Sequence, residues 1–596
     1  MSDYTAPLTD IRFALKEIAG LSELASLPGA EQAAPDLVDL VLAEAAKLAG
    51  DAIAPLNAVG DREHSRLENG VVRTPTGFAQ AYRHYVEGGW NALPFEPEHG
   101  GQGLPWAVAI SVMEMWASAS LAFSLCPLLN VGAVELLQAH GTPEQQRLYL
   151  PKMISGEWTG TMNLTEPQAG SDVGALRTRA VPEGDHYRIT GQKIFITYGE
   201  HDLAPNIVHM VLARLPNAPP GTKGISLFLV PKFLVDGSGK LGEHNDLRCV
   251  SLEHKLGIHA SPTCVMAYGD GGGAIGYLVG EPNRGMECMF TMMNNARLGV
   301  GLQGVSIAER AYQQARDYAR QRIQGRPVGV KGNGPLPIVH HGDVRRMLIE
   351  MKALTEAARA LTYLAAATID RARRHPDADE RQRQQRLADL LIPVVKAWST
   401  DIGVEVASIG VQVHGGVGYI EETGAAQHLR DARITPIYEG TNGIQALDLL
   451  GRKLARDSGL AARELLAEMR GLLRELVRAP GDDLGVIRVH LTAGLDALER
   501  ATAEVVGEVA TETARAFAGA APYLKLFGTV IGGWLLAKEA LAAQRALASA
   551  GDERDFLEAK VATARFYAEH RLALAPALLP AVGGGATVMS FSPEWL

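Results

Sequence analysis

The chain has 596 residues, of which 47% are apolar and 21% charged, and its formal net charge at pH 7 is −10. This composition is typical of a soluble globular protein with several domains, and it excludes a disordered chain, a collagen and a disulfide scaffold. The acidic balance argues against a nucleic-acid coat and against a general binder of anionic membranes.

The chain contains four widely separated cysteines, Cys126, Cys249, Cys264 and Cys288. No CxxC pair is present, so a zinc ribbon and a thioredoxin-type site are disfavoured and no metal site is expected. Scattered thiols fit a reducing compartment. The first 17 residues lack the apolar core of a signal peptide, and the apolar run 526–537 is too short to span a bilayer. We therefore expect a cytoplasmic protein without a membrane span.

Residues 1–155 are predicted to be mainly helical. Apolar residues recur at three- and four-residue spacing in segments 35–58 and 106–155. Within the second segment, GTPEQQRLYLPKMISG contains a helix start at Thr142 and a helix stop at Gly156.

Short runs rich in Ile, Val and Phe then replace the helical period. HYRITGQKIFIT, NIVHMVLARL and GISLFLVPKF are predicted strands, bounded by Pro- and Gly-rich turns. The helical period returns from Met286 to about Lys453, interrupted by the Gly/Pro stretch 325–337, and a second helical block follows from about 456 to 580.

This order predicts an α+β chain with an inserted β domain. The expected parts are an N-terminal helical domain (1–157), a middle β domain (158–285), a C-terminal helical bundle (286–455) and an additional helical extension (456–596).

Several motifs are expected to have only structural roles. The GxGxxG matches at 271–276 and 299–304 lack the strand, glycine turn and helix that a dinucleotide site needs together. Segment 237–240 is predicted to be a hairpin turn, and the adjacent pair His340-His341 is predicted to lie in a surface or interface loop.

Two glycine-containing segments are candidates for ligand contact. Hydroxyls and amides in TEPQAGSD (165–172) suit an anion or a polar ring edge, although the segment equally fits a tight loop. The glycines of VHGGVGY (413–419) permit close approach of a phosphate or of another chain, or else a helix stop followed by a turn.

A third segment, ITPIYEGTNGIQ (434–445), contains a lone acid, Glu439. Among Ile437, Tyr438 and Ile444 this carboxylate is expected to be desolvated, which raises the pKa of a carboxyl group and makes it a better base. The alternative is an acid that stabilises a helix start. Thr441 is predicted to cap the next helix.

Together these segments resemble the acyl-CoA dehydrogenase family. The resemblance covers about residues 35–455 and rests on ordered motifs: LPKMISGEW, TEPQAGSDV, ITGQKIFIT, HKLG, QVHGGVGY and LRDARITPIYEGTNGIQ. The remaining helical block resembles the extension of the larger bacterial members, a subgroup that includes methylmercaptopropionyl-CoA dehydrogenases.

The resemblance implies FAD as cofactor and assigns residues to it. Positions that match flavin-binding residues of the family are Met162, Leu164, Thr165, Gly170, Ser171, Phe195, Thr197, Arg322, Gln412, Gly415, Gly416, Thr441 and Gly443. The segment from Gln412 to Gly416 matches the one that reaches FAD on a neighbouring subunit. Phe195 stands where Trp is usual, and RIQG is one residue shorter than the usual RKTFG beside Arg322.

The resemblance also implies a catalytic base and substrate contacts. Glu439 matches the family's base, and Ala296 occupies the position from which some relatives supply a base instead. Residues that match the acyl-CoA site are Ser171, Asn294, Arg297, Tyr438 and Gly440.

The implied function is α,β-dehydrogenation of an acyl-CoA to a trans-2-enoyl-CoA, as in fatty-acid β-oxidation, with electrons passed to an electron-transfer flavoprotein. The alternatives are an acyl-CoA oxidase, a methylmercaptopropionyl-CoA dehydrogenase and, more remotely, a DNA-associated flavoprotein without turnover. The net charge of −10 disfavours the last, and the charged stretch 371–386 is predicted to be a solvated connection between helices. Because the extension is large enough to cover a second interface, we expect a homodimer.

Overall fold

A computed structural model describes residues 4–549 and 551–596. The chain forms two compact units, each assembled from discontinuous stretches. The first unit comprises the described residues within 1–46, 105–118 and 300–596, and the second comprises residues 47–104 and 119–299.

The α-helices of the described residues are, in chain order, α1 (Leu8–Ala14), α2 (Leu21–Leu24), α3 (Pro35–Lys47), α4 (Ala54–Glu63), α5 (Phe78–Glu87), α6 (Trp106–Ala119), α7 (Leu121–His140), α8 (Pro143–Ser155), α9 (Gly285–Gln321), α10 (Gly342–Arg374), α11 (Ala378–His414), α12 (Ala425–Ala432), α13 (Asn442–Asp448), α14 (Leu460–Arg478), α15 (Asp482–Glu508), α16 (Thr513–Ala518), α17 (Ala520–Ala546), α18 (Arg554–His570), α19 (Leu579–Gly583) and α20 (Gly585–Ser590). The predicted start of α8 is confirmed, since Thr142 and Gln145 form a capping box there.

The strands are β1 (Arg66–Glu68), β2 (Val71–Arg73), β3 (Trp158–Asn163), β4 (Arg179–Glu183), β5 (His186–Thr197), β6 (Asn206–Arg214), β7 (Ile225–Pro231), β8 (Phe233–Val235), β9 (Leu241–His244), β10 (Leu247–Leu252), β11 (Thr263–Tyr268) and β12 (Ala274–Val279). The three strand predictions are confirmed as β5, β6 and β7.

An eight-stranded sheet forms the second unit's β region. Its strand order is β10-β11-β5-β12-β7-β6-β3, with β4 paired to β5 and β6. Most pairs are antiparallel, whereas β3 runs parallel to β6 with Met162 opposite Met210. Ile189, Phe228 and Val230 are buried in the core on this sheet. The sheet therefore holds β3 and β5 rigidly, and both strands lead into motifs that the sequence marked.

The hairpin β1–β2 was not predicted, although its signal is present. Asn69 and Gly70 join the strands, and both have left-handed backbones, with φ of 51° and 82°. An Asn-Gly pair between short strands is the usual signature of such a turn.

The predicted turn at 237–240 is confirmed between β8 and β9, where the amide of Asp236 donates to the Lys240 carbonyl.

The first unit is built around the helix pair α10 and α11. The charged stretch 371–386 connects them across residues 375–377, as predicted. The glycines at 299–304 lie inside α9, and a Cβ at Gly304 would lie only 2.1 Å from the Ser399 carbonyl oxygen of α11. These glycines therefore allow close helix packing and do not form a nucleotide loop. The 271–276 match likewise comprises the end of the turn after β11 and the first residues of β12.

The C-terminal extension packs on the bundle through a glycine notch and a buried ionic cluster. Trp398 of α11 lies against Gly528 and Gly532 of α17, where any Cβ would clash with its ring. Lys560 of α18, 2% exposed, contacts Glu539 of the extension at 3.2 Å and Glu356 of α10 at 3.1 Å. Burial alone would lower the pKa of Lys560, but these carboxylates and a third raise it above its usual range.

Among the described residues, two helices are long and apolar enough to cross a membrane by length and composition, Leu121–His140 and Ala520–Ser549. The apolar run 526–537 therefore belongs to a longer helix than the run itself suggested. In each helix 89% of the most apolar window is buried inside the protein, as in the core helix of a globular domain.

Candidate functional site

The TEPQAGSD loop is fixed by the carboxylate of Glu166. The loop turns tightly there, since the backbones of Glu166 and Ala169 exchange hydrogen bonds of 3.1 and 2.9 Å. The carboxylate accepts hydrogen bonds from the Arg177 amide at 2.6 Å and from the amide and hydroxyl of Thr178 at 3.0 and 2.6 Å. These bonds bind the loop to the chain that follows it and leave its tip exposed.

A buried lysine of β5 completes this anchor. Lys193, fully buried, places its Nζ 2.9 Å from Glu166 Oε1 and 3.0 Å from the Leu164 carbonyl oxygen. Burial would raise the pKa of Glu166, but the ammonium and the donated hydrogen bonds hold it at about 2. Burial lowers the pKa of Lys193 to about 8. Both partners are therefore charged at neutral pH, and neither residue was singled out from the sequence.

A bulge in β5 presents Phe195. Lys193 pairs with Met266 and Ile196 with Cys264, so two residues of β5 oppose one of β11. Phe195 has a left-handed backbone, with φ of 60°, and 58% of the residue is exposed. Such bulges reorient a side chain. The amide of Ile194 donates to the Thr165 carbonyl at 2.9 Å, which joins the bulge to the TEPQAGSD loop.

The structure brings these two motifs together with a donor set that fits a flavin. Within residues 4–549 and 551–596, the hydroxyls of Thr165, Ser171 and Thr197 make no hydrogen bond with another residue, so they remain available to a ligand. A Cβ at Gly170 would meet no atom within 4 Å. Open backbone, free hydroxyls and an exposed ring match the needs of a polar heterocycle with a pyrophosphate.

Met162 and Leu164 are half-buried and flank Asn163 at the end of β3. On α9, Asn294 is half-buried and Arg297 is 3% exposed, and their side chains lie 3.5 Å apart. Ala296 is buried on the same helix. The predicted substrate residues Asn294 and Arg297 are thus neighbours, one turn apart on one helix face.

In the first unit, Glu439 lies in a turn with an uncommon backbone. Its φ is 55°, and that of the following Gly440 is 83°, so two consecutive residues are left-handed. A non-glycine residue in this region is strained and is found most often where function requires it. Glu439 is half-buried. The desolvation expected of this carboxylate is therefore only partial in this chain.

Neighbouring residues hold this turn. Gln445, fully buried, donates from Nε2 to the carbonyl oxygens of Glu439 at 3.4 Å and Gly440 at 3.2 Å. The Tyr438 hydroxyl donates to Gln303 Oε1 of α9. Burial, and then the charge of Glu439, raise the pKa of Tyr438 above its usual range. Tyr438 is therefore a neutral hydrogen-bond donor at any physiological pH.

Thr441 caps α13 as predicted, since its Oγ1 accepts a hydrogen bond from the Ile444 amide at 3.2 Å. Gly443 is exposed in the first turn of that helix. The amides at such a helix start suit an anionic group.

The VHGGVGY segment ends α11. Gln412, Gly415 and Gly416 are exposed, and a Cβ at either glycine would meet nothing within 4 Å. Gly415 has a φ of 64°. Arg322, at the end of α9, is exposed and donates to Gln324 Oε1 at 3.3 Å. The exposed glycines allow close approach of another chain or of a phosphate.

No group of three or more His, Cys, Asp or Glu side chains in the described ranges is placed to hold a metal ion. The pair His340-His341 precedes α10 and does not form such a group. The four cysteines are free and buried.

Family models match most of the chain in order. The acyl-CoA dehydrogenase N-terminal domain matches residues 39–157, the middle domain 161–270 and the C-terminal domain 283–454. An acetyl-CoA dehydrogenase C-terminal-like domain matches residues 465–592, which cover most of the extension.

Curated relatives match over nearly the full length. A 3-methylmercaptopropionyl-CoA dehydrogenase of Ruegeria pomeroyi is 49% identical over 576 residues, 96% of each chain. The broad-specificity linear acyl-CoA dehydrogenase FadE5 of Mycobacterium tuberculosis is 35% identical over 600 residues, again 96% of each chain. A butyryl-CoA dehydrogenase of Syntrophomonas wolfei is 35% identical over 591 residues, 95% of this chain and 94% of that one.

Solved structures share the fold. Caenorhabditis elegans ACDH-11 in complex with C11-CoA has a TM-score of 0.75 at 22% identity, covering 96% of this chain and 93% of that one. An acyl-CoA dehydrogenase of Bacillus anthracis complexed with FAD has a TM-score of 0.73 at 19% identity, covering 96% and 91%. The predicted α+β fold with an added helical domain is confirmed.

Proposed function

Since this chain belongs to the acyl-CoA dehydrogenase family, we propose that it oxidises a short linear acyl-CoA to its trans-2-enoyl-CoA and that 3-methylmercaptopropionyl-CoA is its best substrate. The chain is an FAD-dependent enzyme of this class. The choice of substrate rests on one observation, the 49% identity to a 3-methylmercaptopropionyl-CoA dehydrogenase over 96% of both chains. The relatives named for butyryl-CoA and for linear acyl-CoA support an unbranched chain.

We assign the α-proton to Glu439. The left-handed turn and the two hydrogen bonds from Gln445 fix the backbone at this residue. We assign to the Glu439 amide the hydrogen bond to the thioester oxygen, which stabilises the developing enolate. Exclusion of water by the bound substrate raises the basicity of the carboxylate. Bound FAD would supply the acceptor for the β-hydride.

The other assigned residues bind and orient. Thr165, Ser171 and Thr197 offer hydroxyl donors to the flavin and its pyrophosphate, and Arg297 and Asn294 serve the CoA arm. The first half-reaction therefore needs proton transfer at one atom, Glu439 Oε, and positioning everywhere else.

An electron-transfer flavoprotein is the proposed electron acceptor, and the cytoplasm is the proposed compartment. The exposed ring of Phe195 supports an acceptor that docks from outside, and four free cysteines support a reducing compartment. With oxygen as sole acceptor, turnover should be at least ~10-fold slower than with an artificial dye, which corresponds to a difference of ~1.4 kcal/mol or more in activation free energy. Equal rates with oxygen and with the dye would indicate an oxidase.

An acyl-CoA panel tests the substrate assignment. Steady-state rates with a dye acceptor would be measured for 3-methylmercaptopropionyl-CoA, for linear acyl groups of similar and greater length, and for a branched acyl group. We expect kcat/KM to be highest for the thioether substrate and ~10-fold or more lower for long chains, since each misplaced methylene costs ~1–3 kcal/mol. A maximum at long chains would contradict the substrate but not the reaction class.

We propose a homodimer, since the extension covers a face of the bundle. Trp398 of α11 is buried against α17, and Lys560 ties α18 to α10. By resemblance, shorter family members use this region of the bundle in tetramers, and an apolar face already covered within one chain does not form a second interface. Light scattering after size exclusion at micromolar concentration should give twice the mass of the 63.7 kDa chain. A stable tetramer would contradict the covering role.

A further inference from the structure

We propose that Asn442 is a positioning residue for Glu439, clamping the left-handed turn to α11. This inference rests on the proposed function, because it needs Glu439 to be the base. Asn442 was part of a recognised motif, but neither its sequence neighbours nor the family resemblance assigned its side chain a role.

The turn is a short closed loop. The amide of Asn442 donates to the Pro436 carbonyl at 3.0 Å, which brings together the two ends of the segment that carries Glu439. Within that loop Glu439 and Gly440 both have positive φ. A left-handed backbone is unfavourable for a non-glycine residue, so the loop keeps this shape only if its ends are held.

The side chain of Asn442 uses both its donor and its acceptor on α11. The two hydrogens of its Nδ2 are shared among three acceptors, the Ala397 carbonyl oxygen at 3.0 Å, Thr400 Oγ1 at 3.0 Å and Asp401 Oδ1 at 2.7 Å. Its Oδ1 accepts from Lys396 Nζ at 2.9 Å. Lys396 and Thr400 are fully buried, so the contacts with these two residues form in a region of low dielectric, whereas Asp401 is exposed.

This arrangement differs from the common role of an Asn at a helix start. An Asn there usually caps its own helix, but Thr441 already caps α13 through the Ile444 amide. Asn442 instead reaches across to a neighbouring helix. The geometry fixes the first residue of α13, three positions after Glu439, to a rigid 37-residue helix.

The test compares FAD-loaded wild type with Asn442→Leu, which keeps the volume and removes the side-chain hydrogen bonds to α11. The rate constant of flavin reduction at saturating acyl-CoA should fall ~10–100-fold, because a displacement of ~1 Å at a reacting group costs up to ~10² in rate. The substrate Kd from the same stopped-flow series should change less than ~3-fold, since binding energy comes from elsewhere. If Asn442→Leu yields too little holoenzyme, Asn442→Ser is measured in its place. This variant keeps one hydroxyl, so its reduction rate should fall less than ~10–100-fold but should still be below that of wild type.

Thr502→Val is the matched control. It removes a buried hydrogen bond of 2.9 Å to Tyr523 in the C-terminal extension. Its melting temperature should fall, whereas flavin reduction should stay within ~2-fold of wild type. A merely structural role for Asn442 would give this same pattern, and that result would overturn the inference.

A double-mutant cycle separates this inference from the proposed function. In a Glu439→Gln background, Asn442→Leu should lower the residual rate less than ~2-fold, because no base remains to be positioned. If Asn442→Leu lowers the rate by the same factor in the Glu439→Gln background as in wild type, the two effects are independent, and that result would contradict action through Glu439. If Glu439→Gln alone leaves reduction unchanged, the proposed base fails instead, whatever Asn442→Leu does.

Discussion

Replacing Glu439 by Gln should lower the rate of flavin reduction by acyl-CoA at least ~10²–10⁴-fold, the usual effect of losing a general base. The amide keeps the volume and the hydrogen-bonding capacity of the side chain but does not accept the α-proton at neutral pH. Ala296, at the alternative position for a base, carries no titratable group. The loss should therefore approach the upper end of this range.

Stopped-flow spectroscopy of the anaerobic protein measures this rate directly. FAD content and the Kd for a product analogue should remain near wild type, because neither depends mainly on the carboxylate. The matched control is Glu553→Gln, which removes the same charge from an exposed residue of the extension and should reduce its flavin at the wild-type rate. Near-normal reduction in Glu439→Gln would place the base elsewhere.

Lys193→Met should strongly destabilise the β region. It leaves the Glu166 carboxylate buried without its ammonium partner, which costs ~3–5 kcal/mol for a buried pair. For a unit of this size the melting temperature should fall by roughly 6–20 °C. Purified protein should also retain less FAD, because Lys193 holds Leu164 and Glu166, which belong to the segment that we propose binds the flavin.

Two comparisons identify the cause. Lys152→Met removes an exposed ion pair of 2.6 Å with Glu157 and should cost less than ~1 kcal/mol. The double variant Lys193→Met/Glu166→Gln should recover at least half of the lost stability, since no buried charge is then left alone. Equal stability losses in the two lysine variants would contradict a special role for the buried pair.

The ion pair between Lys193 and Glu166 predicts that the stability of the protein falls in acid. Because the pKa of Glu166 in the folded protein, about 2, is below its ordinary value of 4.5, the unfolded chain binds more protons at this group in that interval. The stabilisation is therefore complete above pH ~4.5 and is lost as pH falls toward 2. In Lys193→Met the pH dependence of the melting temperature should be flatter over this window.

The sequence predicted features that depend on local pattern. Thr142 and Thr441 were identified as helix caps because a hydroxyl before an amphipathic run has few other roles, and both assignments are confirmed. The strands β5 to β7 followed from runs of β-branched and aromatic residues. The charged composition of the 371–386 stretch likewise indicated a solvated connection between helices, and it joins α10 to α11.

Features that depend on tertiary contact were not predicted. Nothing local marks the bulge at Phe195, because it arises from the register of β5 against β11. Lys193 and Glu166 are 27 residues apart, so their pairing needs the sheet. Asn442 reaches α11 across more than 40 residues of sequence. The site residues themselves came from the family resemblance, and their roles stay proposals for the substitutions above to test.

Anaerobic single turnover tests the central claim most directly. Purified holoprotein would be mixed with excess 3-methylmercaptopropionyl-CoA without any electron acceptor, and the flavin spectrum and the acyl products would be measured together. If this chain dehydrogenates short acyl-CoA thioesters, the oxidised flavin band should bleach and one equivalent of the 2-enoyl-CoA should form per FAD. A flavin that stays oxidised with this substrate and with every linear acyl-CoA tried, and no enoyl product, would contradict the account.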